Sequence, residues 1–225
     1  DTFDGRAWNM RERWGGEAPA LDTGVDKPEL VNYSIIVEPH GQPWLFGLMT
    51  PQTVETAGNS IRITADWLLM NRIPVAQRMR YQVSSALQIK PQVAPQLNRG
   101  GHEFYTRLPD NSNPKTRALV DNWRSENLTD KQVIDRALGL FNREFIYTLQ
   151  PPTLGQHSVD EFLLTSKQGF CEHFASSFSF LLRAAGIPAR VVVGYQGGSW
   201  NPVENYLLVR QSDAHAWTEV WIEGQ

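Results

Sequence analysis

The sequence predicts an α+β protein, and three observations carry that prediction. Before residue 100, apolar and polar residues alternate over short runs bounded by turn residues. From Asn113 to Gly186 the apolar spacing lengthens to about 3.6 residues, the period of a helix. From Ala189 to Ile222 it returns to two, so a helical block is followed by an antiparallel sheet. The chain has 225 residues, 41% of them hydrophobic, enough to bury a core as one large domain or two small ones. Its formal charge is 21 − 24 = −3, and it holds no long Lys/Arg cluster, which excludes the electrostatic footprint of a nucleic-acid binder. No run approaches the roughly 18 apolar residues that span a bilayer. The single cysteine forbids an internal disulfide and leaves the redox compartment open.

The elements follow in order. Residues 1–30 read as an extended lead-in holding Trp8, Trp14 and a Gly/Pro-containing stretch from Gly15 to Pro28. Asp1-Thr2-Phe3 brings neither a start methionine nor a signal peptide, so the chain reads as an excised piece. Val31, Tyr33, Ile35 and Val37 share one face of a strand that Pro39-His40-Gly41 ends. Short β-like runs follow at Trp44–Met49, Ser60–Thr64, Trp67–Met70 and Arg80–Leu87. Lys90–Gly101, with Pro91, Pro95, Gly100 and Gly101, reads as a linker, which divides a β-rich region 1–100 from a core 101–225.

Asn113-Pro114 is a cap and first-turn proline for a helix carrying Ala118, Leu119 and Trp123 and stopping near Asn127. Thr129 and Gln132 fit a capping box ahead of an apolar stripe of Val133, Ile134, Ala137, Leu138, Phe141 and Phe145. Ser158 and Glu161 fit a second box opening a short helix through Phe162 and Leu163. Cys171 then begins CEHFASSFSFLLRAAG, with Phe174, Phe178, Leu181 and Leu182 on one side and Gly186 as the stop. Strands are expected at Ala189–Tyr195, Tyr206–Arg210 and Ala214–Ile222, joined by Gln196–Asn205 and Gln211-Ser212-Asp213.

Cys171 therefore stands at a helix N-terminus, where unpaired backbone N–H groups and the positive end of the dipole favour a thiolate. The same N–H groups, that of Cys171 included, can stabilise an oxyanion when an acyl carbon is attacked. Cysteine catalysis also needs a base, usually a histidine distant in sequence, and a group that orients it. His40, His102 and His157 sit in turn-like stretches and read as surface residues. His173 follows Cys171 by two, which on a helix turns it about 200° away, so its role is support. His215 stands 44 residues after Cys171 at the head of the alternating strand HAWTEVWI, and it is the best-placed partner. From the residues alone two readings stay open: a nucleophile with its base, or a core thiol and a strand-end histidine. Trp217 and Tyr195 either line a cleft or pack in the sheet. CEH spreads its side chains around a helix and makes no zinc set, and no nucleotide-binding glycine motif occurs, so neither metal nor cofactor is expected.

GFCEHFASSFSFLLRAAGIPARVVVGYQGG followed by DAHAWTEVWIEG resembles the transglutaminase-like core, a papain-type thiol fold with a Cys–His–Asp triad. YSIIVEPHGQPWLFGL, RLPDNSNPKTRAL, FIYTLQPPTLG and DEFLLTSKQGFCEHF further resemble the periplasmic part of bacterial TgpA-type transglutaminases. The resemblance covers most of the chain and is weakest over residues 1–30 and 90–103. It implies a papain-like core with Cys171 as nucleophile and His215 as general base and acid, preceded by a small β-rich region. The family's aspartate lies in the strand after the histidine, within a WxxxDP-like segment. This sequence reaches Gln225 only 10 residues after His215, so that aspartate is expected beyond it. Asp213 shares a strand face with His215 but points alongside the imidazole, and reads as a loop residue.

The implied reaction is that of a protein-glutamine gamma-glutamyltransferase, with a glutamine side chain as donor and a primary amine such as lysine as acceptor. The implied setting is a periplasmic domain of a bacterial inner-membrane protein, held to the membrane only through segments outside this chain. Two other readings stay open: water resolving the thioester, which makes a peptidase or amidase, and a non-catalytic module binding a cell-envelope polymer or partner protein. Acyl transfer needs a cleft that excludes water and admits an amine, a matter of shape on which no motif reports.

Overall fold

The computed structural model describes residues 1–9, 29–57, 61–64, 66–87 and 97–222. Trp14, the stretch from Gly15 to Pro28, Ser60 and residues 90–96 of the linker lie outside these residues. The chain forms two compact units, Glu12–Pro95 and, separately, Asp1–Arg11 together with Gln96–Gly224. The opening residues thus belong with the helices, where β1 (Thr2–Phe3) and β2 (Trp8–Asn9) make a short antiparallel ribbon.

The β-rich unit holds β3 (Leu30–Val37), β4 (Trp44–Leu45), β5 (Pro51–Glu55), β6 (Ile61–Ile63), β7 (Leu69–Asn71) and β8 (Met79–Ala86). They form two antiparallel three-stranded sheets, in the orders β3-β8-β5 and β4-β7-β6. The alternation read in β3 is the alternation observed, and that of β8 holds through Val83, after which Ser84, Ser85 and Ala86 are all buried; it turns Tyr33, Ile35, Tyr81 and Val83 toward a core with Leu45, Leu69 and Val75. Tyr81 is 1% exposed, and its phenol donates to Phe46 O at 2.8 Å and accepts from Phe46 N at 3.0 Å. Burial pushes that phenol's pKa up. Strand β5 escapes sequence reading because it opens on Pro51, a residue confined to strand starts and sheet edges, and β5 is an edge. His40 is half-buried, its ring beside Trp44 and Phe46, where the sequence suggested a plain surface residue.

After β1 and β2, the other unit continues with α1 (Arg99–Thr106), a helix where the sequence read the end of a linker. Asn98 caps it, its Oδ1 accepting from Gly101 N at 2.8 Å. Asn113 precedes α2 (Pro114–Ser125) as expected, but it does not cap that helix. Its Oδ1 accepts from Val159 N and Asp160 N at 3.1 and 3.2 Å. The Asp160 carboxylate in return accepts from Lys115 N and Thr116 N at 3.0 and 2.7 Å. His157 joins this exchange by accepting from Asn113 N at 3.2 Å, so it ties two helices and is not a free surface residue. The Thr129 and Gln132 box is formed as read, and α3 (Asp130–Glu144) buries Val133, Ala137 and Phe141.

Next come β9 (Ile146–Tyr147), α4 (Ser158–Glu161), which runs into a wide turn over Phe162–Ser166, and β10 (Gln168–Gly169). The second capping box is not formed. Ser158 is already helical, and the Glu161 carboxylate instead accepts from Gly155 N at 2.7 Å. Helix α5 (Cys171–Ala184) is stopped by Gly186 at φ +76°, a left-handed conformation that suits glycine. It is followed by β11 (Ala189–Tyr195), β12 (Ser199–Asn201), β13 (Tyr206–Leu208) and β14 (Ala214–Val220). Strands β11 and β14 pair antiparallel, while β13, at the start of the expected strand Tyr206–Arg210, forms a hairpin with β12, which lies in the stretch Gln196–Asn205 read as a connection. Helix α5 lies inside the unit, with α2 and α3 on one side and β11 and β14 on the other. Its apolar stripe is therefore wider than expected: Phe180, Leu181 and Leu182 are all fully buried, each worth about 1.5–3 kcal/mol of burial.

Candidate active site

Cys171 is the first residue of α5, with Phe170 in extended conformation before it, and its side chain is half-buried. Phe170 has no capping atom to offer. His173 reaches back instead, its Nδ1 accepting from Phe170 N at 3.4 Å, while its ring lies edge-on to Phe170 at 4.6 Å between centroids. His173 thus holds the start of the helix, the supporting place expected of it.

Ahead of Cys171, β9 and β10 pair in parallel, with Ile146 N donating to Lys167 O at 2.9 Å and Thr148 N to Gly169 O at 2.8 Å. Gly169 is required here. A Cβ on it would stand 2.7 Å from His173 Cβ and 2.8 Å from Phe162 Cε2. Gly169→Ala is expected to destabilise the fold by about 1–3 kcal/mol through overpacking and to move the Cys171 end of α5. Thermal unfolding beside the rate of Cys171 alkylation measures both.

His215 is the second residue of β14 and pairs with Gly194 of β11. The strand's period of two puts Ala216 and Thr218 against α5. Thr218 Oγ1 donates to Ala175 O at 2.9 Å and lies 3.0 Å from Ser179 Oγ. Ala175 is one turn from Cys171, and at the other end Trp221 N donates to Pro188 O, just past the helix, at 2.9 Å. Helix and strand therefore run in the same direction, with Cys171 and His215 at the leading end of each. No hydrogen bond joins the thiol to the imidazole in this structure. His215 is half-buried on the strand face opposite Ala216 and lies near-parallel to Trp217, 6.5 Å between centroids. Trp217, 37% exposed, lies across Gly194, where a Cβ would meet the indole at 3.0 Å. Tyr195 donates to Gln211 Oε1 at 2.9 Å.

The Asp213 carboxylate accepts from Arg210 N at 2.7 Å and closes the turn Gln211–Asp213, the loop role expected of it. One residue at the site was not singled out in the sequence. Tyr147, the last residue of β9, stacks on Phe174 at 6.0 Å and 24°, and its hydroxyl accepts from Cys171 N at 3.3 Å.

Residues 117–225 match the family profile described as the transglutaminase-like superfamily, and residues 1–91 match the TgpA N-terminal domain. The crystal structure of the periplasmic domain of TgpA from Pseudomonas aeruginosa superposes with a TM-score of 0.85 at 42% identity, covering 99% of this chain and 75% of that one. The chain belongs to the transglutaminase-like superfamily. The ethylmercury-bound form of that domain gives a TM-score of 0.83 at 40% identity over 99% of this chain and 77% of its own. Among curated proteins, the protein-glutamine gamma-glutamyltransferase of P. aeruginosa is 45% identical over 227 residues, 98% of this chain. An uncharacterized protein, YebA of Bacillus subtilis, is 34% identical over 131 residues, 54% of this chain. The chain spans 32% and 18% of the lengths of those two proteins. The α+β transglutaminase-like fold expected from the sequence is thus the fold found, and the chain is homologous to a periplasmic domain. No helix among the described residues is long and apolar enough to cross a membrane.

Proposed function

We propose that this chain is the catalytic domain of a protein-glutamine gamma-glutamyltransferase, with Cys171 as nucleophile and His215 as general base and acid. The observation that carries the reading is the parallel course of α5 and β14, which sets Cys171 and His215 at the same end of two packed elements in a transglutaminase-like fold. His215 takes the thiol proton, and the thiolate attacks the carboxamide carbon of a glutamine side chain. The C–N bond breaks and ammonia leaves with the proton from His215. A primary amine such as lysine then attacks the thioester, His215 accepts its proton, and the isopeptide product and free thiol are restored. In this reading the unit of Asp1–Arg11 and Gln96–Gly224 is the catalytic core, and the β-rich unit Glu12–Pro95 is its companion. The domain faces the periplasm, and segments outside this chain anchor it to the inner membrane.

The test is mass spectrometry of a glutamine peptide incubated with a labelled primary amine and the full-length protein, beside Cys171→Ala. Amine incorporation is expected with the native enzyme and background incorporation with the variant. Incorporation that persists in Cys171→Ala rejects the assignment. Deamidation or backbone cleavage in place of incorporation makes water the acceptor and the protein a hydrolase, and an unchanged peptide favours a binding module.

A further inference from the structure

The attack of Cys171 on an acyl carbon throws negative charge onto the carbonyl oxygen, and one backbone N–H is a weak cradle for it. The Cys171 N–H points at the nearest candidate for a second donor. It is given to the Tyr147 hydroxyl at 3.3 Å, so the phenol oxygen stands where an oxyanion held by that N–H would stand. Accepting this bond uses a lone pair and leaves the phenolic hydrogen, which no described residue accepts. The ring is carried at a fixed place: the backbone bonds of Ile146 and Thr148 clamp Tyr147 on both sides, and Phe174, three residues after Cys171, supports its face. The side chain is nevertheless 58% exposed, open to the solvent from which a substrate arrives and able to turn.

We propose that Tyr147 is a catalytic residue whose hydroxyl is the second oxyanion donor, sharing the acyl oxygen with the Cys171 N–H. In the resting enzyme the phenol oxygen keeps that N–H bonded. When the acyl oxygen takes the N–H, the phenol yields the place and directs its O–H at the same oxygen. This inference rests on the assignment of Cys171 as nucleophile.

Tyr147→Phe keeps the stacked ring and removes the hydroxyl alone. Two reactions of the full-length protein separate its role from mere packing. Acylation by p-nitrophenyl acetate, read as the burst of p-nitrophenol, passes through an oxyanion, whereas alkylation by iodoacetamide displaces iodide and forms none. Tyr147→Phe is expected to slow the burst by about 10²-fold, in keeping with loss of one oxyanion donor, and to leave the alkylation rate and the melting temperature unchanged. Equal slowing of both reactions means a structural role and overturns the proposal. An unchanged burst overturns it as well, and a faster one makes the hydroxyl a plug over the Cys171 N–H, also against it. A native burst that survives Cys171→Ala rejects the nucleophile itself, and is told apart from failure of the tyrosine assignment because it appears before any change at Tyr147.

Discussion

His215→Gln is expected to lower kcat for amine incorporation by at least about 10³-fold, within the range that general acid–base catalysis supplies, with stability changed by under about 1 kcal/mol. The disparity follows from where the side chain sits. His215 is the second residue of β14, is half-buried, and makes no side-chain hydrogen bond to a described residue. What holds the strand is Ala216 packed inward, Thr218 bonded to Ala175 O, and the ladder with β11. Glutamine fits the same place beside Trp217 and keeps an amide that hydrogen-bonds, but it neither accepts the thiol proton nor returns it to departing ammonia. Steady-state kinetics beside thermal unfolding decide the matter. A kcat within tenfold of the native value removes His215 from the chemistry, and loss of activity with a collapsed melting temperature makes it structural.

What could be read in the sequence was local or periodic. The Thr129 box lies within three residues, and the strand alternation of Tyr33, Ile35 and Val37 repeats every two. The start of α5 at Cys171 and its stop at Gly186 are marked by residues at the ends themselves. What could not be read depends on partners far along the chain. Asn113 carries every mark of a cap, yet its carbonyl serves a helix that begins at Ser158, while Asp160 returns the service. Only the packing of α2 against α4 decides that exchange. Tyr147 reaches Cys171 through a parallel bridge between two strands of two residues each, too short to carry a period. The pair Cys171 and His215 lay between these cases: each residue marks its own element, but the helix-on-strand packing that puts them at one end is tertiary.

Another long reach of this kind gives the second large effect. Arg183 reads as a basic residue in the last turn of a helix, the ordinary surface place for one. It is instead fully buried, and its guanidinium meets the Asp1 carboxylate at 2.6 Å, 182 residues away. Nε donates to Ala189 O at 2.8 Å and Nη1 to Arg107 O at 3.3 Å, and the group lies over the Trp8 ring at 4.6 Å. Burial lowers its pKa to about 10, so it stays charged at neutral pH and must be held by these partners. Arg183→Met fills most of the volume but takes the guanidinium from the Asp1 carboxylate, which still accepts from Val191 N at 2.9 Å, and removes the donors that Ala189 O and Arg107 O now accept from. Breaking one side of a buried pair costs about 3–5 kcal/mol, and urea unfolding is expected to show a loss of that size. Asp1→Asn in the same background removes the charge that faced the guanidinium and is expected to restore part of the loss, so the two substitutions are non-additive. Additive losses, or a cost of Arg183→Met below about 1 kcal/mol, show that the pair does not tie the chain's opening residues to α5.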